Sequence, residues 1–194
     1  MVKDSLVPTT KIRGRPRGFD AGDGQRIAQT AFAREGYDHV SVADLCAALN
    51  IKPPSFYAAY GSKRALFDKV LAAYSDRTAA AYEAACAAAT TPLDLRQRVL
   101  RTAITFYTEN DGVGCMVIAN LLNSGDRDLH AHLRSIMQER QVIMSRHLAR
   151  LGLSPEDVQT EMATISVAMM GLSAAARLGM EAATLLHAIE RLQS

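Results

Sequence analysis

Apolar residues recur three and four positions apart along almost the whole chain, and no sustained alternation bounded by turn signals appears. That period predicts an all-α protein. A first helix is expected from about Asp23 to Glu35, capped by Asp20, with Ile27, Ala28, Ala31 and Phe32 as its stripe and Gly36 as its stop. Ser41 and Asp44 have capping-box spacing and open a second helix to about Leu49. Asn50 can take a left-handed turn, and Pro53 and Pro54 suit the first turn of a short third helix, about 53 to 59, which Gly61 ends. Ser62 caps a long fourth helix carrying Leu66, Phe67, Val70, Leu71 and Tyr74 on one side. Helix, helix, four-residue turn and short helix make the layout of a helix-turn-helix unit.

The remainder predicts longer helices. One starts at Thr91-Pro92 and runs through Val99, Leu100, Ala103, Phe106 and Tyr107, until "NDGVGC" breaks it. "MVIANLL" is a short apolar helix, followed by one from about Asp126 to Arg150 with Leu129, Leu133, Ile136, Met137, Ile143, Met144 and Leu148 inward. Ser154, Pro155, Glu156 and Asp157 form a strong helix start. The helix they open carries two apolar stripes: Val158, Met162, Ile165, Met169, Leu172 and Ala176, and then Ala163, Val167, Met170, Ala174 and Leu178. One face suffices for a helix on a monomer surface, so two predict burial on both sides. A central helix of a monomeric bundle would show this pattern. A homodimer through helices near 155–178 and 181–192 is the preferred account.

Composition narrows the class. Of 194 residues 48% are hydrophobic and 22% charged, which is globular, and no apolar stretch reaches the roughly 18 residues of a membrane span. The N-terminus has no apolar signal region, and the three cysteines lack metal spacing, so a reducing cytoplasm is expected with no cofactor or metal. Residues 1–77 hold 12 Lys and Arg against 8 acids, whereas 78–194 hold 10 against 12, so the basic excess lies in the half with the helix-turn-helix pattern. That half also concentrates Phe56, Tyr57, Tyr60 and Phe67, with Lys63 and Arg64 between them. Phe56 and Tyr60, four apart, are expected in the core with Leu45 and Leu49, leaving Tyr57 to point elsewhere. No phosphate loop, nucleophile elbow or carboxylate dyad stands in recognisable context, and the five histidines lack metal-ligand pairing. No enzyme is expected.

Residues 20–67 resemble the DNA-binding domain of the TetR family of bacterial transcriptional regulators. The resemblance is carried by Gly36-Tyr37, Ser41-Val42-Ala43-Asp44-Leu45, Ile51, Ser55-Phe56-Tyr57, Tyr60, Ser62-Lys63 and Leu66-Phe67. It implies an N-terminal three-helix DNA-binding domain, 20–67, preceded by a basic arm, 1–19. A long helix then joins it to a helical ligand-binding and dimerisation domain, 68–194. On such a recognition helix the exposed N-terminal residues meet base edges. Expected DNA contacts are Ser41, Lys52, Pro53, Pro54, Ser55, Tyr57, Ala58 and Lys63, with Tyr57 and Lys63 on phosphates. The sequence departs from the family at Asn50, where Gly is usual, and at Lys52, where a small polar cap is common. Ala58 and Ala59 stand where larger polar groups are frequent, leaving Ser55 as the main base reader. "RGRPRG" resembles the Arg-Gly-Arg-Pro core of an AT-hook, which would bring Arg13, Arg15 and Arg17 to an A·T minor groove; a generic basic tail reads the same.

The family usually encloses a small-molecule pocket in its larger domain. Inward positions that could line one are Tyr74, Phe106, Tyr107, Cys115, Met116 and Met137. Cys115 follows a helix break, a setting in which a thiol pKa can fall, so both a redox or electrophile sensor and an inert core cysteine remain open. The resemblance implies a repressor released from a palindromic operator on double-stranded DNA by an effector the sequence does not name. An architectural DNA binder without a switch is the alternative.

Overall fold

The computed structural model describes residues 21–192; the arm with Arg13, Arg15 and Arg17, and the Asp20 cap, lie outside them. Among the described residues there are nine helices and no strand. They are α1 (Ala21–Glu35), α2 (Val42–Ala48), α3 (Pro53–Tyr60), α4 (Lys63–Ala87), α5 (Pro92–Gly112), α6 (Met116–Asn123), α7 (Arg127–Arg150), α8 (Pro155–Arg177) and α9 (Ala182–Leu192). The starts follow the sequence signals. Ser41, Ser62, Thr91, Asp126 and Ser154 each accept a hydrogen bond from a first-turn amide of the helix they precede. Asn50 takes the left-handed conformation, φ 51°, between α2 and α3.

Helices α1 to α3 fold against the first turns of α4. Phe32, Leu45, Phe56, Leu66 and Phe67 are buried there, and Phe32 meets the Phe67 ring edge-on at 5.0 Å. Helix α4 continues into the larger part, packing on α5 and α7, while α8 lies along α5 with α9 across both. One continuous apolar core runs through the two parts. Within one chain only the first stripe of α8 is covered, with Met162, Ile165, Leu172 and Ala176 buried. The second stays in solvent: Val167 is 71% exposed, Met170 48% and Leu178 87%. No helix of the described residues is long and apolar enough to cross a membrane.

Candidate nucleic-acid interface and effector cavity

Helix α3 is built to present one face. Phe56 and Tyr60 point inward, their rings 5.4 Å apart, and anchor the helix on α2 and α4. Lys52, Pro53, Pro54, Ser55, Tyr57 and Ala58 are all exposed. The Tyr57 ring stands edge-on to Phe56 at 5.6 Å, so its direction is set by a buried neighbour even though half of it is in solvent. Lys52 occupies the N-cap without a side-chain capping bond, so its ammonium is not held at the helix it precedes. The exposed surface is thus one cation, one hydroxyl, one phenol and small apolar groups. This suits close approach to a groove more than dense hydrogen bonding.

Two predicted contact residues are occupied within the protein. The Ser41 hydroxyl donates to the Asp44 carboxylate at 2.6 Å and accepts from the Asp44 amide, and the Ser41 amide donates to the same carboxylate. Ser41 therefore sets the start of α2. The Lys63 ammonium donates to the carbonyls of Tyr37 and Val40 at 2.9 and 3.0 Å and lies 4.2 Å from the Tyr37 ring centroid. Two of its three N–H donors are thus taken in the DNA-free chain, where Lys63 clamps the α1–α2 turn.

Sequence reasoning missed the junction that holds the helix-turn-helix to the rest. Fully buried Asn120, on α6, donates to the Phe32 carbonyl at 3.1 Å and accepts from the Tyr37 amide at 2.7 Å. Arg177, at the end of α8, donates to the carbonyls of Ala33, Arg34 and Val113. The last carbonyls of α1, which a helix end leaves without intrahelical partners, are thus taken by side chains of α6 and α8. The Asp38 carboxylate accepts from the Gly125 amide and the Ser124 hydroxyl, and Arg64 joins Asp126 at 3.3 Å. The backbone between α5 and α6 also runs unusually close to α8. A Cβ on Gly112 would come within 2.9 Å of the Ala176 carbonyl, and one on Gly114 within 2.8 Å of the Ser173 carbonyl; both glycines have positive φ. Polar singletons on apolar helices are the one sequence signal for this junction, and Asn120 within "MVIANLL" is the clearest.

A cavity lies between α5, α6, α7 and α8, with about 40 Å³ of free space. Of the predicted pocket residues Tyr107, Cys115 and Met137 line it. Tyr74 stands one layer behind and donates its hydroxyl to the Cys115 sulfur at 3.7 Å. Phe106 packs between Tyr74 and Tyr82 with the Arg77 guanidinium 4.9 Å from its centroid, and Met116 is a fully buried packing residue; neither reaches the lining. Cys115 is the N-cap residue of α6, buried, and its amide donates to the Ser173 hydroxyl at 2.9 Å. Burial pushes the Cys86 thiol up to about 11, where it is unreactive near neutrality.

The charged lining residue missed in the sequence is Arg140. It is 93% buried, the complement of 7% exposure, and donates to the Thr78 hydroxyl at 2.7 Å. Its position is four residues from Ile136 and four from Met144, on the inner row of α7, and that placement was the available signal.

Residues 17–70 match the pattern of bacterial regulatory proteins of the tetR family. The transcriptional repressor ComR of Escherichia coli K12 is 33% identical, over 92% of this chain and 90% of its own length. The repressor BdcR of the same organism is 32% identical, over 94% and 88%. The chain belongs to the TetR family. Among solved structures, a cysteine mutant of the TetR-family regulator CifR bound to a 26-base-pair operator superposes with a TM-score of 0.73 at 27% identity, covering 92% of this chain and 98% of that one. A TetR regulator from Legionella pneumophila, at 18% identity and a TM-score of 0.72, shares the fold. This TetR-family chain is therefore a DNA-binding transcriptional regulator with α2 and α3 as its helix-turn-helix.

Proposed function

We propose that the protein is a repressor that binds a roughly palindromic operator as a homodimer and leaves it when a small molecule enters the α5–α8 cavity. The observation that carries the DNA half is the face of α3, where two buried rings fix the helix while Ser55, Tyr57 and their neighbours stand clear in solvent. In a major groove the N-terminal residues of such a helix meet base edges. Ser55 reads a base, Tyr57 and Lys52 take phosphates, Pro53, Pro54 and Ala58 supply close apolar contact, and Arg13, Arg15 and Arg17 follow the adjacent minor groove. Residues 20–67 form the reading unit, and 68–194 the sensing and pairing unit. The exposed stripe of α8, with Val167, Met170 and Leu178, supports pairing across α8 and α9, as contiguous exposed apolar surface does in general.

Footprinting on genomic fragments, followed by anisotropy on the protected duplex, tests this reading. Two protected half-sites about 34–36 Å apart or a multiple of it, and a dimer by sedimentation at micromolar concentration, are expected. Binding that ignores sequence, or a monomer with and without DNA, would remove the repressor reading in favour of an architectural one.

A further inference from the structure

Arg140 is a permanent cation in an apolar interior, and among the described residues no carboxylate stands beside it. Its one hydrogen-bond acceptor is the neutral Thr78 hydroxyl, its Nε finds none, and the Tyr74 ring centroid lies 5.7 Å away. The phenols around it do not supply a negative charge: burial raises the pKa of Tyr74, Tyr82 and Tyr107 above the ordinary tyrosine value, so all three stay neutral. A buried guanidinium does not lose its proton, and leaving one uncompensated is strongly unfavourable. Its planar fork matches a carboxylate, and it lines the cavity. The other walls include Met137, Met144, Met162 and Met169, flexible side chains that repack around different shapes, with the polar Gln141 and Ser166 among them. The free space of about 40 Å³ holds a water, not a metabolite, so an occupant enters by displacing those methionines.

We infer that the cavity takes a small organic monoacid, its carboxylate on Arg140 and its apolar body, one ring or a short alkyl chain, among the methionines. This rests on the effector half of the proposed function and names the chemical class of that effector. Thr78 is the positioning residue: its hydroxyl holds one arm of the guanidinium and leaves Nε for the acid.

The test is calorimetric titration of the full-length protein, without DNA and at constant ionic strength, with benzoate and hexanoate against benzamide and hexanamide. At least one acid is expected to bind tenfold or more tightly than its amide. Arg140→Met should bring that ratio below about twofold while helicity is kept, and Arg140→Lys should retain part of it. Should Arg140→Met not fold, Arg140→Lys and Thr78→Val carry the test, each expected to cut the acid's advantage at least threefold. Equal binding of acid and amide, binding of neither, or a preference that survives these substitutions would overturn the inference. So would an Arg140→Met protein that changes only the rate at which N-ethylmaleimide alkylates Cys115, since the guanidinium would then serve the thiol. The same titration on the protein–operator complex separates the two readings. Tight acid binding with operator affinity unchanged supports the anionic site and removes the switch.

Discussion

The two halves of the core are made of different materials. Around α3 the buried side chains are Phe32, Leu45, Leu49, Phe56, Leu66 and Phe67, close-packed and without a charged group among them. Between α4 and α8 the interior also takes in Thr78, Tyr74, Tyr107, Cys115, Arg140, His147 and Ser173, with methionines around a small void. Close-packed aromatic cores tolerate little change of shape, while methionine walls accept it. The first half holds a recognition surface still, and the second can answer a ligand.

The largest break in that contrast is expected from Phe56→Ala, which empties a fully buried ring site under α3. Truncations of this kind cost about 3–5 kcal/mol, enough to unfold the reading unit, and a urea melt followed by loss of operator binding measures it. Met137→Ala, at the half-buried cavity wall, should cost about 1 kcal/mol or less, below the usual range for fully buried methionine. Equal losses at the two sites would erase the distinction between the two halves of the core.

Next in size is the junction. Asn120→Leu leaves the Tyr37 amide without its partner, while the Phe32 carbonyl keeps the Gly36 amide, at about 1–3 kcal/mol for the amide where water does not reach it. Operator affinity should fall with stability, and hydrogen exchange at the end of α1 should quicken more than in α5. Lys63→Met comes third. It loses two carbonyl bonds at a partly exposed site, about 1 kcal/mol in all, with operator affinity lowered alike for all sequences. A slope of log K against log salt shallower by about one unit would mark Lys63 as a phosphate contact, and an unchanged slope as a clamp alone.

Acid should act mainly on the larger half. Hydrogen bonds hold the pKa values of four carboxylates below their usual range: Asp44 through the Ser41 hydroxyl, Asp94 through the Thr90 amide, Asp126 through the Leu129 amide and Glu83 through His147. A depressed carboxylate contributes stability that is present above its unfolded pKa, about 4, and is lost as pH falls through the folded value. Three of the four lie beyond residue 68, so urea midpoints between pH 5 and pH 3 should drop chiefly through that half. The smallest effect on stability belongs to Ser55→Ala, within about 0.5 kcal/mol as for most surface changes. Its signature is altered preference among operator variants.

Much of this was legible in the sequence because it is local. The Ser41–Asp44 box, Asn50, the paired prolines and the Phe56–Tyr60 spacing each act within a few residues, and each appears where the pattern put it. The two stripes of α8 were equally legible, but a single chain covers one of them. What the sequence hid depends on distance. Lys63 reaches back 26 and 23 residues to its carbonyls, Asn120 reaches 88 to Phe32, and Arg177 reaches 144 to Ala33. Arg140 was hidden differently: an arginine among inner-row apolar residues looks like a helix edge until the neighbouring helices close over it.

The close approach of Gly112 and Gly114 to the carbonyls of Ala176 and Ser173 gives α8 a fulcrum. Backbone pressed against backbone cannot move inward there, so a push that drives the methionine end of α8 outward is expected to tilt the helix about that point. Helical rise places Met162 about 18 Å from the fulcrum and Arg177 about 4 Å beyond it, a mechanical ratio of roughly four to one. Each ångström of outward travel at the methionines therefore moves the Arg177 backbone by about a quarter of an ångström in the opposite sense. Hydrogen bonds absorb tenths of an ångström and fail at larger shifts. With such a pivot, small breathing motions of the cavity are expected to stop short of the end of α1, and only a displacement of several ångströms to reach it.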